Sequence, residues 1–277
     1  MTQLALHPSR HDAPALETPV LQAPILQARG VALRYPGQSR ATIEGFDFAL
    51  APGETVSLLG SSGVGKSSLL RVLAGLQAPT EGHVTMNDAP LVGVHPRVAV
   101  AFQDPSLLPW LTLEKNVAFG LDFKHQPRQS RAESEARVEM AIREVGLTQS
   151  RRKFPAELSG GMAQRTALAR CLARKPEILL LDEPFGALDE VTRTEMQHLL
   201  LKVVRDFRTA AILITHDIDE ALLVSDRILL LGGAPASAIG EWRIDLPKPR
   251  EDFIAELGAI RVDILSTLRG TAQRRAA

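Results

Sequence analysis

A glycine-rich loop at Gly60–Ser67 carries the residue types that bind phosphate groups. Its sequence fits the pattern G-x-x-x-x-G-K-[ST], in which glycines let backbone N–H groups close around phosphate oxygens. We expect Lys66 to reach the β- and γ-phosphates of a nucleotide and the Ser67 hydroxyl to ligate Mg²⁺, with Ser68 following on the same helical turn. A glycine turn that merely joins a strand to a helix is the alternative. The loop consists of Gly60, Ser61, Ser62, Gly63, Val64, Gly65, Lys66 and Ser67.

Two carboxylates follow an apolar run much further along the chain. Asp182 and Glu183 come directly after Ile178–Leu181, which has the composition of a buried strand. Parallel sheets present ligands at the carboxyl ends of their strands. We therefore expect Asp182 to hold Mg²⁺ through water, and Glu183 to polarise the attacking water as a general base. Taken alone, such a pair would more often be a solvated strand end.

The elements that must position these residues alternate between strands and helices. Strands buried in a parallel sheet are predicted at Thr55–Leu59, Val98–Phe102, Ile178–Leu181, Ala210–Thr215 and Arg227–Leu231. Helices are predicted at Lys66–Leu76, Glu190–Val204 and Asp217–Ser225. The sequence therefore predicts an α/β fold with a mostly parallel sheet.

The flanking and inserted segments differ from this core. Pro8, Pro14, Pro19 and Pro24 predict a disordered arm over residues 1–27. The main domain at 28–245 opens with short strands predicted at Val31–Tyr35 and Phe46–Leu50. Charged helical patterns predict an inserted helical subdomain over about 107–173, with helices at Glu133–Val145 and Ser159–Ala173. The extension at 246–277 carries an apolar stripe at helical spacing, which we expect to pack on the protein's own core. The stripe consists of Phe253, Leu257, Ile260, Ile264 and Leu268.

Composition excludes several classes of protein. The 32 Lys and Arg residues balance 32 Asp and Glu residues, so the basic charge typical of a nucleic-acid binder is missing. Cys171 is the only cysteine, which excludes an internal disulfide and fits a reducing compartment. The longest apolar runs fall far short of the ~20 residues that span a bilayer as a helix. We therefore expect a chain that does not cross a membrane by itself.

The segment Leu158–Arg165 lies between the phosphate loop and the acidic pair and reads Leu-Ser-Gly-Gly-Met-Ala-Gln-Arg. With its motifs in this order, the chain resembles the ABC-type ATPase family from about residue 29 to its C-terminus. The resemblance implies a P-loop NTPase core with a mostly parallel sheet, an N-terminal antiparallel β region and an inserted helical subdomain. The resemblance implies that two copies meet head to tail, with this segment closing on the γ-phosphate bound by the other copy and Asp189 at the same seam. Taken alone, the segment would be an ordinary helix N-cap. We expect Ser159, Gly160 and Gly161 to be exposed for this purpose. The residues implied to contact the nucleotide in this way are Ser159, Gly160, Gly161 and Gln164.

The resemblance also implies roles for residues outside these motifs. Gln103 would complete the Mg²⁺ shell and sense the γ-phosphate, and His216 would hydrogen-bond the γ-phosphate from the side opposite Lys66. Tyr35 would stack on adenine, although a strand tyrosine that serves only as packing is the alternative. ATP and Mg²⁺ are thus the implied cofactors, with Lys66, Glu183 and His216 as the catalytic residues.

A finer resemblance points to import. The stretches Phe102–Trp110, Asn116–Gly120 and Ile260–Leu265 look like the nitrate, sulfonate and taurine import ATPases. This implies separate transmembrane permease subunits, a periplasmic solute-binding protein and a peripheral position on the cytoplasmic face of the inner membrane. Trp110 would lie where a permease helix docks, with a core aromatic as the alternative. The expected solute is an aliphatic sulfonate, with taurine or nitrate as alternatives.

Two rival functions share part of this pattern. A soluble ABC protein acting on nucleic acid or ribosomes would carry the same motifs, but such proteins usually show a long coiled-coil insertion or two cassettes in one chain. A P-loop kinase or GTPase would keep Gly60–Ser67 without needing Leu158–Arg165 or His216. The sequence therefore favours an ATP-hydrolysing import subunit without nucleic acid as a partner.

Overall fold

The computed structural model describes residues 23–124 and 126–276. Most of the predicted arm, up to residue 22, lies outside the described residues. The strands are β1 (Leu26–Leu33), β2 (Ile43–Leu50), β3 (Thr55–Leu59), β4 (Glu81–Met86), β5 (Ala89–Pro90), β6 (Val98–Ala101), β7 (Ile178–Asp182), β8 (Ala210–Thr215), β9 (Arg227–Gly233) and β10 (Ala236–Arg243). The helices are α1 (Lys66–Leu73), α2 (Leu113–Ala118), α3 (Arg131–Glu144), α4 (Gly160–Ala173), α5 (Glu190–Phe207), α6 (Ile218–Val224) and α7 (Ile254–Ala276).

The strands form a single sheet in the order β5-β4-β1-β2-β10-β9-β3-β8-β7-β6. Strands β9, β3, β8, β7 and β6 run parallel to one another, whereas β1 pairs antiparallel with β2 and β4. Every residue of β3 and β8 is buried, as expected for strands that are covered on both faces. The predicted α/β class, with a mostly parallel core and an N-terminal antiparallel region, is confirmed.

Side-chain alternation along the parallel strands divides the core into two layers. In β7, Ile178 and Leu180 pack with the apolar face of α1, whereas Leu179 and Leu181 pack with α4 and α5. Because successive residues of a strand point to opposite faces, α1 and the pair α4 and α5 lie on opposite sides of the sheet. The phosphate loop and the Leu158–Arg165 segment are therefore carried by helices from different layers.

The helical insertion packs on the α4 side of the sheet, in one core cluster with the strands and α5. Helix α3 begins with a capping box, in which Ser130 accepts from the Glu133 backbone and the Glu133 side chain accepts from the Ser130 backbone. Its buried residues pack with α2 and α4. Predicted helices at Glu133–Val145 and Ser159–Ala173 thus match α3 and α4 to within two residues.

The C-terminal extension is fastened to the parallel core. Leu257 and Ile264 of α7 are buried against α6 and β9, so the prediction that this stripe packs on the protein's own core is confirmed. The guanidinium of Arg250 is buried and donates to four backbone carbonyl oxygens, those of Leu222, Ser225, Ile244 and Leu246. Among the described residues no helix is long and apolar enough to cross a membrane.

The start of the main domain differs from the sequence prediction. Strand β1 begins at Leu26, inside the predicted arm, because the fully buried Leu26 pairs with Leu50 of β2 and Met86 of β4. The predicted strand Val31–Tyr35 overlaps only the end of β1. Elsewhere, the short strands β4 and β5, strand β10 and helix α2 went unpredicted because they are short or carry polar residues at most positions.

Candidate functional site

The loop Gly60–Ser67 joins β3 to α1 in the strand, loop and helix order that the sequence predicts. Gly65 is the N-cap of α1 with φ of 110°, a conformation that favours glycine. A Cβ at Gly60 would come within 2.7 Å of the Leu231 carbonyl oxygen, so the loop passes too close to β9 for a side chain at this position. These glycines hold the backbone in the turn that precedes the helix N-terminus.

Lys66 folds back over this loop. Its Nζ donates to the carbonyl oxygens of Gly60 at 2.8 Å and Ser61 at 3.1 Å, and the side chain is almost fully buried. Burial lowers the pKa of the Lys66 ammonium, whereas the nearby carboxylates of Glu183 and Asp182 raise it. The Lys66 ammonium is therefore held at the phosphate loop, near the carboxylates of Asp182 and Glu183.

Ser67 and Asp182 are in contact beside the phosphate loop. The Ser67 hydroxyl donates to Asp182 Oδ1 at 3.2 Å, which links the first turn of α1 to the end of β7. Burial raises the pKa of the Asp182 carboxyl, and the hydrogen bond from Ser67 opposes that change. The described residues contain no cluster of three or more carboxylate, histidine or cysteine ligands. A hydroxyl beside one carboxylate nevertheless fits Mg²⁺, which commonly takes one or two protein ligands together with substrate phosphates and water.

Glu183 and His216 form a second contact at the same edge of the sheet. Glu183 has φ of 46°, which is uncommon for a residue with a side chain, and its N–H donates to the Ile214 carbonyl oxygen at 2.9 Å. His216 follows β8, and its Nδ1 lies 3.3 Å from Glu183 Oε1. Since β7 and β8 are adjacent parallel strands, their carboxyl ends place these two side chains together.

Gln103 lies two residues beyond β6, next to the end of β7, and its side chain is exposed. The contact it makes is through its backbone, because its carbonyl oxygen accepts from Gln164 Nε2 at 2.7 Å. Gln164 is 5% exposed. The buried Gln164 amide ties α4 to the Gln103 segment, and the expectation that Gln164 contacts a nucleotide stays a prediction.

The start of α4 presents part of the Leu158–Arg165 segment to solvent. Ser159 is the N-cap, with its Oγ accepting from the Met162 N–H at 3.3 Å, and both Ser159 and Gly160 are exposed. The expectation that Gly161 is exposed as well is wrong. Gly161 is buried, and a Cβ there would lie 2.3 Å from the Thr192 Cγ2 atom.

Thr192 connects this segment to Asp189. Asp189 is the N-cap of α5, where its carboxylate accepts from the Thr192 N–H at 3.0 Å and the Thr192 hydroxyl at 2.7 Å. These hydrogen bonds lower the pKa of the exposed Asp189 carboxyl. The N-termini of α4 and α5 are thus in contact on one side of the sheet, an arrangement that sequence reasoning missed because Gly161 and Thr192 are distant in the chain.

Tyr35 bridges the end of the first strand region to α1. Its hydroxyl lies 3.0 Å from Ser68 Oγ and donates to Gln77 Oε1 at 3.3 Å, while its ring packs against the core beneath α1. This arrangement places Tyr35 beside the phosphate loop without deciding between adenine stacking and packing. The Ser68 hydroxyl, which we expect near the nucleotide, is hydrogen-bonded to the Tyr35 hydroxyl.

The Trp110 side chain is exposed on the surface near the helical insertion. It is 70% exposed, which rules out the alternative that it is a core aromatic. The segment before it is fastened by the buried Asn116, whose side chain accepts from the Leu108 N–H at 2.8 Å and donates to the carbonyl oxygens of Leu108 and Leu111. Asn116 therefore fixes the backbone that displays Trp110, a role that its sequence context did not reveal.

Comparison with known proteins identifies the family to which the chain belongs. A family model described as "ABC transporter" matches residues 43–186. The chain is 43% identical over 244 residues to the aliphatic sulfonates import ATP-binding protein SsuB 1 of Xanthomonas axonopodis pv. citri, covering 86% of this chain and 96% of that protein. It is 42% identical to the nitrate transport protein NasD of Klebsiella oxytoca, covering 80% and 86%. It is also 46% identical to the bicarbonate transport ATP-binding protein CmpC of a Synechocystis strain, covering 78% of this chain but only 32% of that protein.

Solved structures show the same architecture. The post-hydrolysis dimer of the ATP-binding cassette MJ0796 bound to ADP and Pi superimposes with a TM-score of 0.70 at 29% identity, over 80% of this chain and 100% of that one. The cbiO1 protein of Clostridium perfringens, part of the transporter complex cbiONQ, gives a TM-score of 0.74 at 25% identity, over 88% and 96%.

Proposed function

Because the chain belongs to the ABC transporter family, we propose that it is the ATP-binding and ATP-hydrolysing subunit of an import complex for a small anionic solute. The observation that carries this proposal is the convergence of the phosphate loop, Asp182, Glu183 and His216 at the carboxyl edge of the sheet. The exposed start of α4 lies in the opposite helical layer. The phosphate loop, Asp182, Glu183 and His216 supply one half of an ATP site. The start of α4 supplies the other half of the ATP site that a second copy holds.

The residues divide the hydrolytic work between them. Lys66 and the backbone N–H groups of the loop bind the β- and γ-phosphates, and the Ser67 hydroxyl with Asp182 would hold Mg²⁺, which neutralises developing phosphate charge when bound. Glu183 accepts a proton from the attacking water. His216, beside Glu183, donates a hydrogen bond to the γ-phosphate and orients the Glu183 carboxylate. Gln103 and Tyr35 complete the site at the γ-phosphate side and the adenine side.

A second copy completes each site. Ser159 and Gly160 are exposed at the positive end of α4, where N–H groups and the helix dipole favour an anion. Asp189 lies exposed at the neighbouring start of α5. In the head-to-tail dimer these groups close on the γ-phosphate held by the other copy, so ATP draws the two subunits together and hydrolysis lets them part.

Closure moves a separate permease. Trp110 and the segment fixed by Asn116 present an apolar surface near the helical insertion, where we place the docking site for a permease helix. The subunit then acts as a peripheral protein on the cytoplasmic face of the inner membrane, together with a periplasmic solute-binding protein. The identity to an aliphatic sulfonate import protein favours aliphatic sulfonates as the solute, with taurine or nitrate next.

The Glu183→Gln variant tests the shared site. It keeps the size and hydrogen-bonding capacity of the side chain but cannot accept the proton, so turnover falls by about 10²–10⁴-fold while ATP binding survives. We expect this variant to accumulate as an ATP-bound dimer in size-exclusion chromatography with light scattering. Glu135→Gln, an exposed carboxylate on α3, serves as the control with unchanged turnover. A Glu183→Gln protein that stays monomeric at saturating ATP contradicts the proposal.

The solute is tested in cells. A deletion strain should lose uptake of labelled alkanesulfonate and growth on it as sole sulfur source, and the wild-type gene should restore both, whereas a Glu183→Gln gene should not. Loss confined to taurine, nitrate or bicarbonate instead reassigns the solute. If the deletion strain takes up alkanesulfonate, taurine, nitrate and bicarbonate normally and the protein is recovered on nucleic acid or ribosomes, the result would favour a soluble ABC protein that acts on nucleic acid or ribosomes.

A further inference from the structure

A buried carboxylate behind the hydrolytic site has no part in the mechanism above. Glu220 lies in the first turn of α6 and is 6% exposed. Its Oε2 accepts from the hydroxyl of Thr215 at 2.7 Å, and Thr215 in turn accepts from the Asp217 N–H at 3.0 Å. Thr215 and Asp217 flank His216, so Glu220 holds the backbone on both sides of that residue.

The other oxygen of Glu220 faces a different segment. Arg193 Nε lies 3.7 Å from Glu220 Oε1, and the Arg193 Nη2 donates to the Leu188 carbonyl oxygen at 3.2 Å. Leu188 precedes Asp189, which the proposed second copy contacts. A continuous path of polar contacts therefore joins the Asp189 segment, through Arg193 and Glu220, to the residues around His216.

The Arg193–Glu220 contact is incomplete in the single chain. Arg193 Nε is buried and has no hydrogen-bond partner among the described residues, and 3.7 Å exceeds the ~2.7–3.2 Å of an N–H···O hydrogen bond. A shift of about half an ångström would convert the ion pair into a charge-assisted hydrogen bond. Burial raises the pKa of the Glu220 carboxyl, as expected where the charge is not yet fully compensated.

We propose that Glu220 and Arg193 are a positioning pair that couples docking of the second copy at Asp189 to the placement of His216 beside Glu183. The inference rests on the proposed shared ATP site. When the second copy presses on the Asp189 segment, the Leu188 carbonyl and Arg193 move together, the Arg193–Glu220 contact closes, and the turn holding His216 is fixed. Neither residue touches the nucleotide, so both act through His216.

The prediction is a loss of turnover without a loss of ATP affinity. Glu220→Gln keeps an oxygen to accept from Thr215 but removes the charge that faces Arg193. Because misplacing a catalytic group by a fraction of an ångström to 1 Å costs up to about 100-fold, we expect kcat to fall about 10–100-fold with KM for ATP within threefold. Arg193→Gln should give the same loss, and the double variant no further loss, because the two residues act as one unit.

Matched variants separate this role from a general structural one. Glu190→Gln removes the exposed partner of the same arginine, at 3.3 Å from Arg193 Nη1, and should leave kcat within twofold. Combined with Glu183→Gln, the Glu220→Gln substitution should leave the ATP-dependent dimer intact. If Glu220→Gln fails to fold, the partly exposed Arg193 provides the test: Arg193→Gln should lose kcat, and Arg193→Lys should recover part of it.

The results distinguish two failures. If the Glu183→Gln protein dimerises with ATP but Glu220→Gln hydrolyses ATP at the wild-type rate, only the positioning pair is refuted. A rise in KM parallel to the loss of kcat, or losses that multiply in the double variant, also refutes it. If the Glu183→Gln protein never dimerises, the shared site is refuted and the positioning pair with it.

Discussion

The contact between Gly161 and Thr192 can be tested by adding a single methyl group. In Gly161→Ala the new Cβ would lie 2.3 Å from Thr192 Cγ2, whereas apolar carbons pack at about 3.5–4.0 Å. The two helix N-termini must therefore separate by more than an ångström or the Thr192 side chain must leave its position. Thr192 cannot rotate freely, because its hydroxyl donates to Asp189.

The size of the effect follows from the cost of overpacking. Such substitutions cost about 1–3 kcal/mol, which for a chain of this size corresponds to a fall in Tm of about 2–12 °C. Thr192→Ser removes the clashing methyl but keeps the hydroxyl, and the next nearest atoms to the Cβ, Thr192 Cβ and Oγ1, lie at 3.7 and 3.8 Å. The Gly161→Ala, Thr192→Ser double variant should therefore recover most of the loss.

Thermal unfolding without ATP isolates this packing effect from any nucleotide contact. Gly160→Ala is the control, since a Cβ there meets nothing within 4 Å and alanine is favoured over glycine in a helix by up to about 1 kcal/mol. Its Tm should equal or exceed that of the wild type. A Gly161→Ala protein that melts within a degree of the wild type, or one that Thr192→Ser does not rescue, would refute the assigned contact.

Further predictions concern charge, base stacking and the single cysteine. Since burial raises the pKa of Asp182, its carboxyl binds a proton more tightly in the folded protein than in the unfolded chain. The charged carboxylate therefore destabilises the fold increasingly as the pH rises above the acid range. Asp182→Asn should therefore raise Tm more at pH 7.5 than at pH 4, while ATPase activity is lost. Asp189→Asn should lower Tm at pH 7.5, and by less toward pH 4, because hydrogen bonds lower the pKa of Asp189. If Asp182→Asn and Asp189→Asn change Tm in the same direction at pH 7.5, the opposite pKa shifts assigned to these two carboxyls are refuted. Tyr35→Leu should weaken ATP binding by about 5–150-fold, equivalent to 1–3 kcal/mol of stacking, and Tyr35→Phe by less than twofold; equal affinities in calorimetry would leave Tyr35 as packing. Burial raises the pKa of the Cys171 thiol to about 11, so iodoacetamide at pH 8 should label it only after unfolding, as mass spectrometry can show.

The parts of the fold that the sequence predicts are those governed by local pattern. Near-continuous apolar runs predict β7 and β8, and their carboxyl ends give the neighbourhood of Asp182 and His216. The contacts between elements are not local. The burial of Gln164 against Gln103 and of Gly161 against Thr192 depends on how α4 sits on its neighbours, which spacing within one helix does not encode. The stripe on α7 was predictable because a helix with an apolar face must bury it somewhere.

The division of the core into two layers, one on each face of the sheet, supports the proposal that one chain carries only half of a site. The phosphate loop opens at the edge of the sheet onto α1, and the side-chain contacts of Ser67 with Asp182 and of Glu183 with His216 lie at the ends of the parallel strands β7 and β8. The start of α4 belongs to the other layer and is held there by Thr192 and the N-cap of α5. Swinging Ser159 onto the loop of its own chain would require breaking that layer's core, whereas docking a second copy costs no internal contact. Asp189 is the N-cap of α5 in this same layer, which is why the proposed coupling begins at Asp189.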